Sequence, residues 1–195
     1  MTDIVWKCSF DGGAKRGSPG GEKTAIVRSQ RGLGIPCPTV LAGTAQKGKR
    51  MRFEELNLSA PLLEAIAQLD FTEMTEIQEK AIPLLLEGKD VIGKSNTGTG
   101  KTAAFSIPIL EQMGQMPQEE RRNVCALILC PTRELAMQAC DEIRKFSRFQ
   151  RQIKPVAVYG GASMERQIYQ LKNGANLVVG TPGRVLDHLR RRTLK

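Results

Sequence analysis

Ser95-Asn96-Thr97-Gly98-Thr99-Gly100-Lys101-Thr102 is the stretch that decides the fold of this 195-residue chain. A short strand pattern at residues 90–94 precedes it, and a helical pattern from Lys101 to Met113 follows it. A glycine-rich turn between a strand and a helix is typical of a phosphate-binding loop. Glycines let backbone N–H groups point toward phosphate oxygens, and the helix N-terminus adds a partial positive charge. The sequence therefore predicts a nucleotide phosphate site here, which we call the phosphate loop.

Two side chains of the phosphate loop have expected roles in chemistry. Lys101 is predicted to reach the β- and γ-phosphates, and Thr102 is predicted to place its hydroxyl on a nucleotide-bound Mg²⁺ ion. Ser95 occupies a position where the strict pattern has glycine, and small residues are compatible with that position. The alternative is a glycine-rich turn that binds nothing. A phosphate loop alone does not distinguish kinases, GTPases and motor enzymes.

Strand and helix patterns alternate on both sides of the phosphate loop. This alternation predicts an α/β fold in which helices flank a parallel sheet. In such a fold the carboxyl ends of the strands lie along one edge, where ligands bind. The predicted strands are 90–94, 124–130, 154–159 and 176–180, and the predicted helices are 59–69, 75–86, 101–113, 133–147, 163–172 and one beginning at Pro182.

Residues 1–50 differ in composition from the rest of the chain. They carry nine Lys/Arg against three Asp/Glu, so they contribute +6 of the net charge of +9, and they contain nine of the 19 glycines. Their apolar periodicity is weak, which predicts a basic, disordered extension ahead of a domain over residues 51–195. A tail that binds RNA is one alternative. Another is that Met51 is the native start and the upstream stretch is not made.

The remaining composition narrows the class of protein. No run approaches the about 20 apolar residues of a membrane-spanning helix, and residues 1–30 lack the features of a signal peptide. The five cysteines form no CxxC pair, which indicates reduced thiols in a cytoplasmic protein. With one histidine, a His-rich metal site and a Ser-His-Asp triad are both unfavourable interpretations.

The segment before the phosphate loop carries the first family resemblance. The stretch Phe71-Thr72-Glu73-Met74-Thr75-Glu76-Ile77-Gln78, with Phe53 17 residues before Asp70, resembles the Q motif of DEAD-box RNA helicases. The resemblance implies that Gln78 reads the adenine edge through its amide and that Phe53 covers the adenine face, with Phe71 and Thr75 in the same site. Thr75 and Gln78 also fit a helix capping box, and the two roles are compatible. Asp70 and Met74 stand where the family commonly has Gly and Pro.

Three later motifs resemble the same family in the same order. The segment 131–136 is similar to its motif Ia, Gly160-Gly161 to its GG motif, and residues 181–184 to its motif Ib. The resemblance implies the first of two RecA-like domains and an RNA site that contacts backbone phosphate more than bases. The RNA-site residues implied in this way are Pro131, Thr132, Arg133, Gly160, Gly161, Thr181, Pro182, Gly183 and Arg184.

The expected function is that of an ATP-dependent RNA helicase, with ATP, Mg²⁺ and RNA as ligands and no membrane partner. The resemblance implies an Asp-Glu-Ala-Asp motif beyond these motifs, and none occurs in this sequence. The chain is therefore expected to be a first domain incomplete at its C-terminus that does not hydrolyse ATP appreciably by itself. A non-catalytic fragment that binds nucleotide or RNA is the main alternative, and a different P-loop enzyme such as a kinase is another. The sequence does not indicate the oligomeric state.

Overall fold

The computed structural model describes residues 2–6, 25–28, 50–95 and 98–194. Two residues of the phosphate loop, Asn96 and Thr97, lie outside them. The strands are β1 (Thr2–Trp6), β2 (Ala25–Arg28), β3 (Val91–Ser95), β4 (Ala126–Leu129), β5 (Pro155–Val158) and β6 (Leu177–Gly180). The α-helices are α1 (Ala60–Gln68), α2 (Glu76–Leu86), α3 (Lys101–Gln115), α4 (Arg133–Phe146), α5 (Met164–Lys172) and α6 (Pro182–Arg190).

The six strands form one sheet in the order β3-β1-β2-β4-β6-β5. Strands β4, β6 and β5 are parallel neighbours, with Leu127 opposite Val178 and Val178 opposite Val156. Strand β2 is parallel to β4, whereas β1 is antiparallel to both β2 and β3. The predicted α/β fold with a parallel sheet flanked by helices is thus confirmed for β4, β6 and β5.

The sheet differs from the sequence-based expectation at one side. β3 does not pair with β4, because β1 and β2 lie between them. These two strands belong to the segment predicted to be a disordered extension, so nine of its residues are paired in the sheet. The pairing of β1 with β3 and of β2 with β4 joins residues far apart in sequence, and the weak apolar periodicity of residues 1–50 does not reveal it. The domain boundary at Met51 stays a prediction.

The hydrophobic core surrounds the helix that follows the phosphate loop. In α3, the side chains of Ile107, Ile109 and Leu110 are at most 1% exposed, and β6 is buried along its whole length. A strand buried on both faces is typical of a parallel sheet covered by helices. Each fully buried aliphatic side chain stabilises the fold by about 1.5–3 kcal/mol. The core therefore fixes α3, and with it the start of the helix at Lys101.

A buried carboxylate joins α3 to α1. Glu111 is 3% exposed, and its Oε2 accepts hydrogen bonds from the backbone N of Ser59 at 2.9 Å and from its Oγ at 2.7 Å. Ser59 does precede α1, as predicted for an N-cap residue, but its hydroxyl donates to Glu111 and makes no capping bond to the helix. The acceptor lies 52 residues away in sequence, which is why local pattern did not reveal it.

Candidate functional site

Two glycines in the described part of the phosphate loop have left-handed backbone conformations. Gly98 and Gly100 have φ values of +81° and +80°, a region that side chains with Cβ adopt only with strain. A Cβ at Gly98 would meet no atom within 4 Å, so the loop is open on that side. Lys101 and Thr102 begin α3 and are half-buried, and burial lowers the pKa of the Lys101 ammonium. These residues fit a bound polyphosphate, whose negative charge would stabilise the Lys101 ammonium.

Gln78 joins α2 to the phosphate loop. Its Oε1 accepts a hydrogen bond from the backbone N of Thr75 at 2.9 Å, which completes a capping box at the start of α2. Its Nε2 donates to the carbonyl oxygen of Gly100 at 3.1 Å, and Thr75 Oγ1 donates to the carbonyl oxygen of Thr99 at 2.8 Å. The capping role weighed from the sequence is thus confirmed, and the same two side chains hold the phosphate loop.

The aromatic residues near this site are packed differently from the expectation. Phe53 is only 2% exposed and forms part of the hydrophobic core, so its ring offers no open face to a base in this structure. Its ring meets that of Phe71 edge-on at 6.3 Å between centroids, and Phe71 is 36% exposed. Phe71 in turn meets the ring of Phe146 at 5.7 Å. Of the two aromatic residues predicted for the site, Phe71 is the accessible one.

The residues predicted to contact RNA follow the carboxyl ends of three parallel strands. Thr132 follows β4 and caps α4 by accepting from the backbone N of Leu135 at 3.3 Å. Gly161 follows β5 with φ +84°, and a Cβ there would lie 3.1 Å from Nη1 of Arg133. Arg184, at the start of α6 after β6, donates from Nη1 to the carbonyl oxygen of Ala162 at 3.0 Å. The two arginines therefore converge on the loop after β5.

The side chain of Arg133 is exposed and forms a surface ion pair. Its Nε lies 2.8 Å from Oε1 of Glu134, and the two side chains are 58% and 67% exposed. The pKa of Glu134 is lowered first by a hydrogen bond from its own backbone and then by Arg133. An exposed pair of this kind contributes little to stability, so Arg133 can exchange Glu134 for another anion at low cost.

A buried polar cluster beside Arg184 was not found from the sequence. Nε2 of Gln167 donates to the carbonyl oxygen of Tyr159 at 3.0 Å, and its Oε1 lies 3.1 Å from both Nη1 of Arg184 and Nε2 of His188. Gln167 is 3% exposed and His188 is fully buried. Helical spacing does place Gln167 on the same face as the buried Leu171, and a polar residue on such a face could have drawn attention to it.

We expect the stability of the chain to fall between about pH 7 and pH 5 through His188. Burial, and then the charges of Arg184 and Arg191, lower the pKa of His188, against an opposing effect of Asp187. As pH falls through about 6.5, the unfolded chain therefore binds a proton that the folded chain resists, so the free energy of unfolding decreases. Denaturant titrations at pH 7.5 and 5.5 measure this decrease.

His188→Gln is the matched variant for that measurement, because His188 is the only histidine. The variant is expected to lose less stability on acidification than the unaltered chain. An equal loss in both proteins would assign the pH dependence to other groups.

Other kinds of site find no support among the described residues. No group of three His, Cys, Asp or Glu side chains within the described ranges is placed to hold a metal ion. Burial raises the pKa of Cys130 and of Cys140 to about 11, so both thiols stay protonated and poorly nucleophilic at neutral pH. None of the described helices combines the length and apolar character needed to cross a membrane.

Comparison with known proteins places this geometry in a family. Residues 75–195 match the family model of the DEAD/DEAH box helicases. The chain is 53% identical over 145 residues to the DEAD-box ATP-dependent RNA helicase CshA of Streptococcus pneumoniae, and 49% identical over 144 residues to the ATP-dependent RNA helicase CshA of Listeria monocytogenes. Each match covers 74% of this chain and 27% of the relative, so the chain spans about a quarter of these proteins.

Solved structures lead to the same family. A DEAD box protein from Methanococcus jannaschii matches with a TM-score of 0.65 and 43% identity, over 74% of this chain and 38% of that one. A hypothetical ATP-dependent RNA helicase from Sulfolobus tokodaii matches with a TM-score of 0.62 and 38% identity, over 70% of this chain and 38% of that one. The family model matches more than half of this chain, including the phosphate loop and Gln78. The chain therefore belongs to the DEAD/DEAH box helicase family.

Proposed function

We propose that this chain is the nucleotide- and RNA-binding portion of an ATP-dependent RNA helicase, and that the whole protein couples ATP binding and hydrolysis to the remodelling of RNA duplexes. The observation that carries the proposal is the pair of hydrogen bonds from Gln78 and Thr75 to the phosphate loop. They connect the side chain that would read the base to the backbone that would bind the phosphates. A cytoplasmic location belongs to the same proposal, since ATP and RNA are both available there.

The hydrogen-bonding capacity of Gln78 suits adenine. An amide has two donor hydrogens and an oxygen with two lone pairs, and Gln78 uses one hydrogen on Gly100 and one lone pair on Thr75. The remaining donor and acceptor match the N7 acceptor and N6 donor of adenine, whereas guanine presents two acceptors at that edge. Because Gln78 is fully buried, base recognition requires a small rearrangement of the surrounding residues, among which Phe71 has the accessible ring.

At the other end of the nucleotide, the phosphates would lie against Gly98 and Gly100 and the N-terminus of α3. Lys101 would hold the terminal phosphates as a point charge, and the hydroxyl of Thr102 would orient Mg²⁺. Mg²⁺ would neutralise phosphate charge when bound. The part played by the chain's own residues is to position the polyphosphate by backbone donors that α3 holds rigid.

RNA would bind across the loops after β4, β5 and β6. Arg133 and Arg184 supply positive charge at neighbouring strand ends, and the N-termini of α4 and α6 add partial positive charge. Contacts of this type read the sugar-phosphate backbone, so we propose little base specificity. Gly161 allows Arg133 to approach the loop closely, since a Cβ there would lie 3.1 Å from its Nη1.

Replacing Gln78 by alanine is expected to abolish a preference for ATP over GTP. A correctly read base edge is worth about 1–3 kcal/mol, so the unaltered chain should prefer ATP by about fivefold to 150-fold. Isothermal titration of the chain with Mg-ATP and with Mg-GTP measures both affinities. Equal affinities of the unaltered chain for the two nucleotides would refute the proposed adenine site.

Gln112→Ala is the matched control. Gln112 lies in α3 and its Nε2 donates to the carbonyl oxygen of Leu85 at 3.0 Å, so this change also removes a glutamine bond between α3 and α2. It does so away from the phosphate loop and should keep the preference for ATP. Loss of the preference in both variants would mean that general loosening of α2, and not base reading, is responsible.

A further inference from the structure

Arg184 is held by one nitrogen. Its Nη1 donates one hydrogen to the carbonyl oxygen of Ala162 at 3.0 Å and the other to Oε1 of Gln167 at 3.1 Å. Both hydrogens of this nitrogen are then used within the protein. The Nε–H and Nη2–H groups, which form the side-on fork of the guanidinium, make no hydrogen bond to the described residues. A fork of two parallel donors is the geometry that binds a phosphate in a bidentate manner.

Gln167 is oriented by bonds on both sides of its amide. Its Nε2 donates to the carbonyl oxygen of Tyr159, so its Oε1 must face Arg184 and His188. Rotating the amide by 180° would place two carbonyl oxygens together and the amide nitrogen against the Arg184 guanidinium. The orientation is therefore fixed, and a single carbonyl oxygen accepts from both neighbours.

His188 closes the cluster from the interior. Nε2 of His188 faces the oxygen of Gln167, so Nε2 must carry a hydrogen. The neutral ring is therefore the Nε2–H tautomer. In that tautomer Nδ1 accepts a hydrogen bond from Thr193 Oγ1 at 2.8 Å. The hydroxyl of Thr193 also lies 3.1 Å from the carbonyl oxygen of His188, to which it donates when Nδ1 is protonated. The ring thus keeps its bond to Gln167 in both protonation states. It supports Gln167 without reaching the surface.

We infer that Gln167, supported by His188, is a positioning residue for RNA binding: it fixes Arg184 by Nη1 so that the Nε and Nη2 edge is presented to an RNA phosphate. Neither residue touches RNA. Gln167 connects the loop after β5, through Tyr159, to the start of α6, through Arg184, and is itself supported from the last turn of α6 by His188. The inference rests on the proposed role of Arg184 in RNA binding.

A double-mutant cycle on RNA affinity tests the inference. Gln167→Leu removes the acceptor, and Arg184→Ala removes the guanidinium. The affinity of the 195-residue chain for a fluorescently labelled single-stranded oligoribonucleotide is measured by anisotropy over a range of salt concentrations. Arg184→Ala should weaken binding by about fivefold to tenfold and reduce the salt slope by about 0.7, the value for one phosphate contact on a single strand.

In the chain that keeps Arg184, Gln167→Leu should weaken RNA binding and reduce the salt slope, each by part of the Arg184→Ala effect. In the Arg184→Ala variant, Gln167→Leu should cause no further change. A purely structural role would lower the unfolding midpoint while the salt slope stays unchanged. Gln170→Leu, a half-buried residue of the same helix, is the matched control and should leave affinity and slope as they are. If Gln167→Leu does not fold, Gln167→Asn withdraws the amide by one methylene and is measured in the same cycle.

The outcomes separate the inference from the proposed function. If Arg184→Ala leaves RNA affinity unchanged, the proposed RNA contact at Arg184 fails and the inference fails with it. If Arg184→Ala weakens binding but Gln167→Leu does not, or if Gln167→Leu weakens it equally in both backgrounds, the inference alone is overturned.

Discussion

Replacing Lys101 by alanine should lower the affinity of this chain for Mg-ATP by about 100-fold. Hydrogen bonds to charged groups contribute about 1.5–3 kcal/mol, and each 1.4 kcal/mol is a factor of ten in the dissociation constant. Lys101 begins α3, and the buried side chains of that helix fix the position of the Lys101 backbone. Burial lowers the pKa of its ammonium group, and a bound polyphosphate would favour the charged form again.

Isothermal titration with Mg-ATP measures this loss, and Lys89→Ala is the matched control. Lys89 forms a surface ion pair with Glu87 at 2.6 Å, with its side chain 61% exposed. Its replacement should change neither ATP affinity nor, by more than a few tenths of a kcal/mol, stability. An affinity of the Lys101→Ala variant within about threefold of the unaltered chain, with an unchanged unfolding midpoint, would show that the phosphate loop does not bind through Lys101.

Local sequence pattern was sufficient for the parts of the fold that depend on neighbouring residues. The helices beginning near Lys101, Arg133 and Pro182 and the strands β4, β5 and β6 lie where periodicity, capping and proline placement predicted them. The capping box of Thr75 and Gln78 was also visible, because it spans one helical turn. Each of these features is set by interactions within a few residues, which a single sequence displays directly.

Long-range contacts were not visible in the sequence. Phe53 is core rather than accessible, because its surroundings come from distant residues such as Phe71 and, through it, Phe146. The pairing of β1 with β3 joins residues separated by the whole extension. Gln167 and His188 meet only when α5 and α6 pack together. The sequence was sufficient to name the residues of the candidate site, whereas the hydrogen bonds that orient Gln78 and Arg184 could be identified only in the structure.

Gly100 is the point of contact between the proposed base-reading residue and the proposed phosphate site. Its φ of +80° strains any other residue by about 1–2 kcal/mol. A Cβ would also collide with Nε2 of Gln78 and approach its Cδ to 3.1 Å and Thr75 Oγ1 to 3.3 Å. Gln78 is fully buried and bonded on both sides of its amide, so it cannot move away without breaking the capping box.

Gly100→Ala is therefore expected to lower the free energy of unfolding by about 3 kcal/mol, from the backbone strain together with the loss of a helix cap and a buried hydrogen bond. It should also weaken Mg-ATP binding at least about tenfold, since the displaced Gln78 can no longer hold the loop or read the base. Denaturant titration measures the first effect and isothermal titration the second.

Gly88→Ala separates strain from collision. Gly88 has φ +77°, nearly the value at Gly100, but a Cβ there would meet no atom within 4 Å, and it lies at the end of α2 away from the phosphate loop. Its replacement should cost only the strain, about 1–2 kcal/mol, and leave ATP affinity intact. If Gly100→Ala is no more destabilising than Gly88→Ala, the Gln78 amide yields easily and does not hold the loop. If Gly100→Ala is more destabilising than Gly88→Ala but retains ATP affinity, the bond between Gln78 and Gly100 only stabilises the fold, and another residue must read the base. Only the combined loss makes the bond between Gln78 and Gly100 the link between the two halves of the nucleotide site.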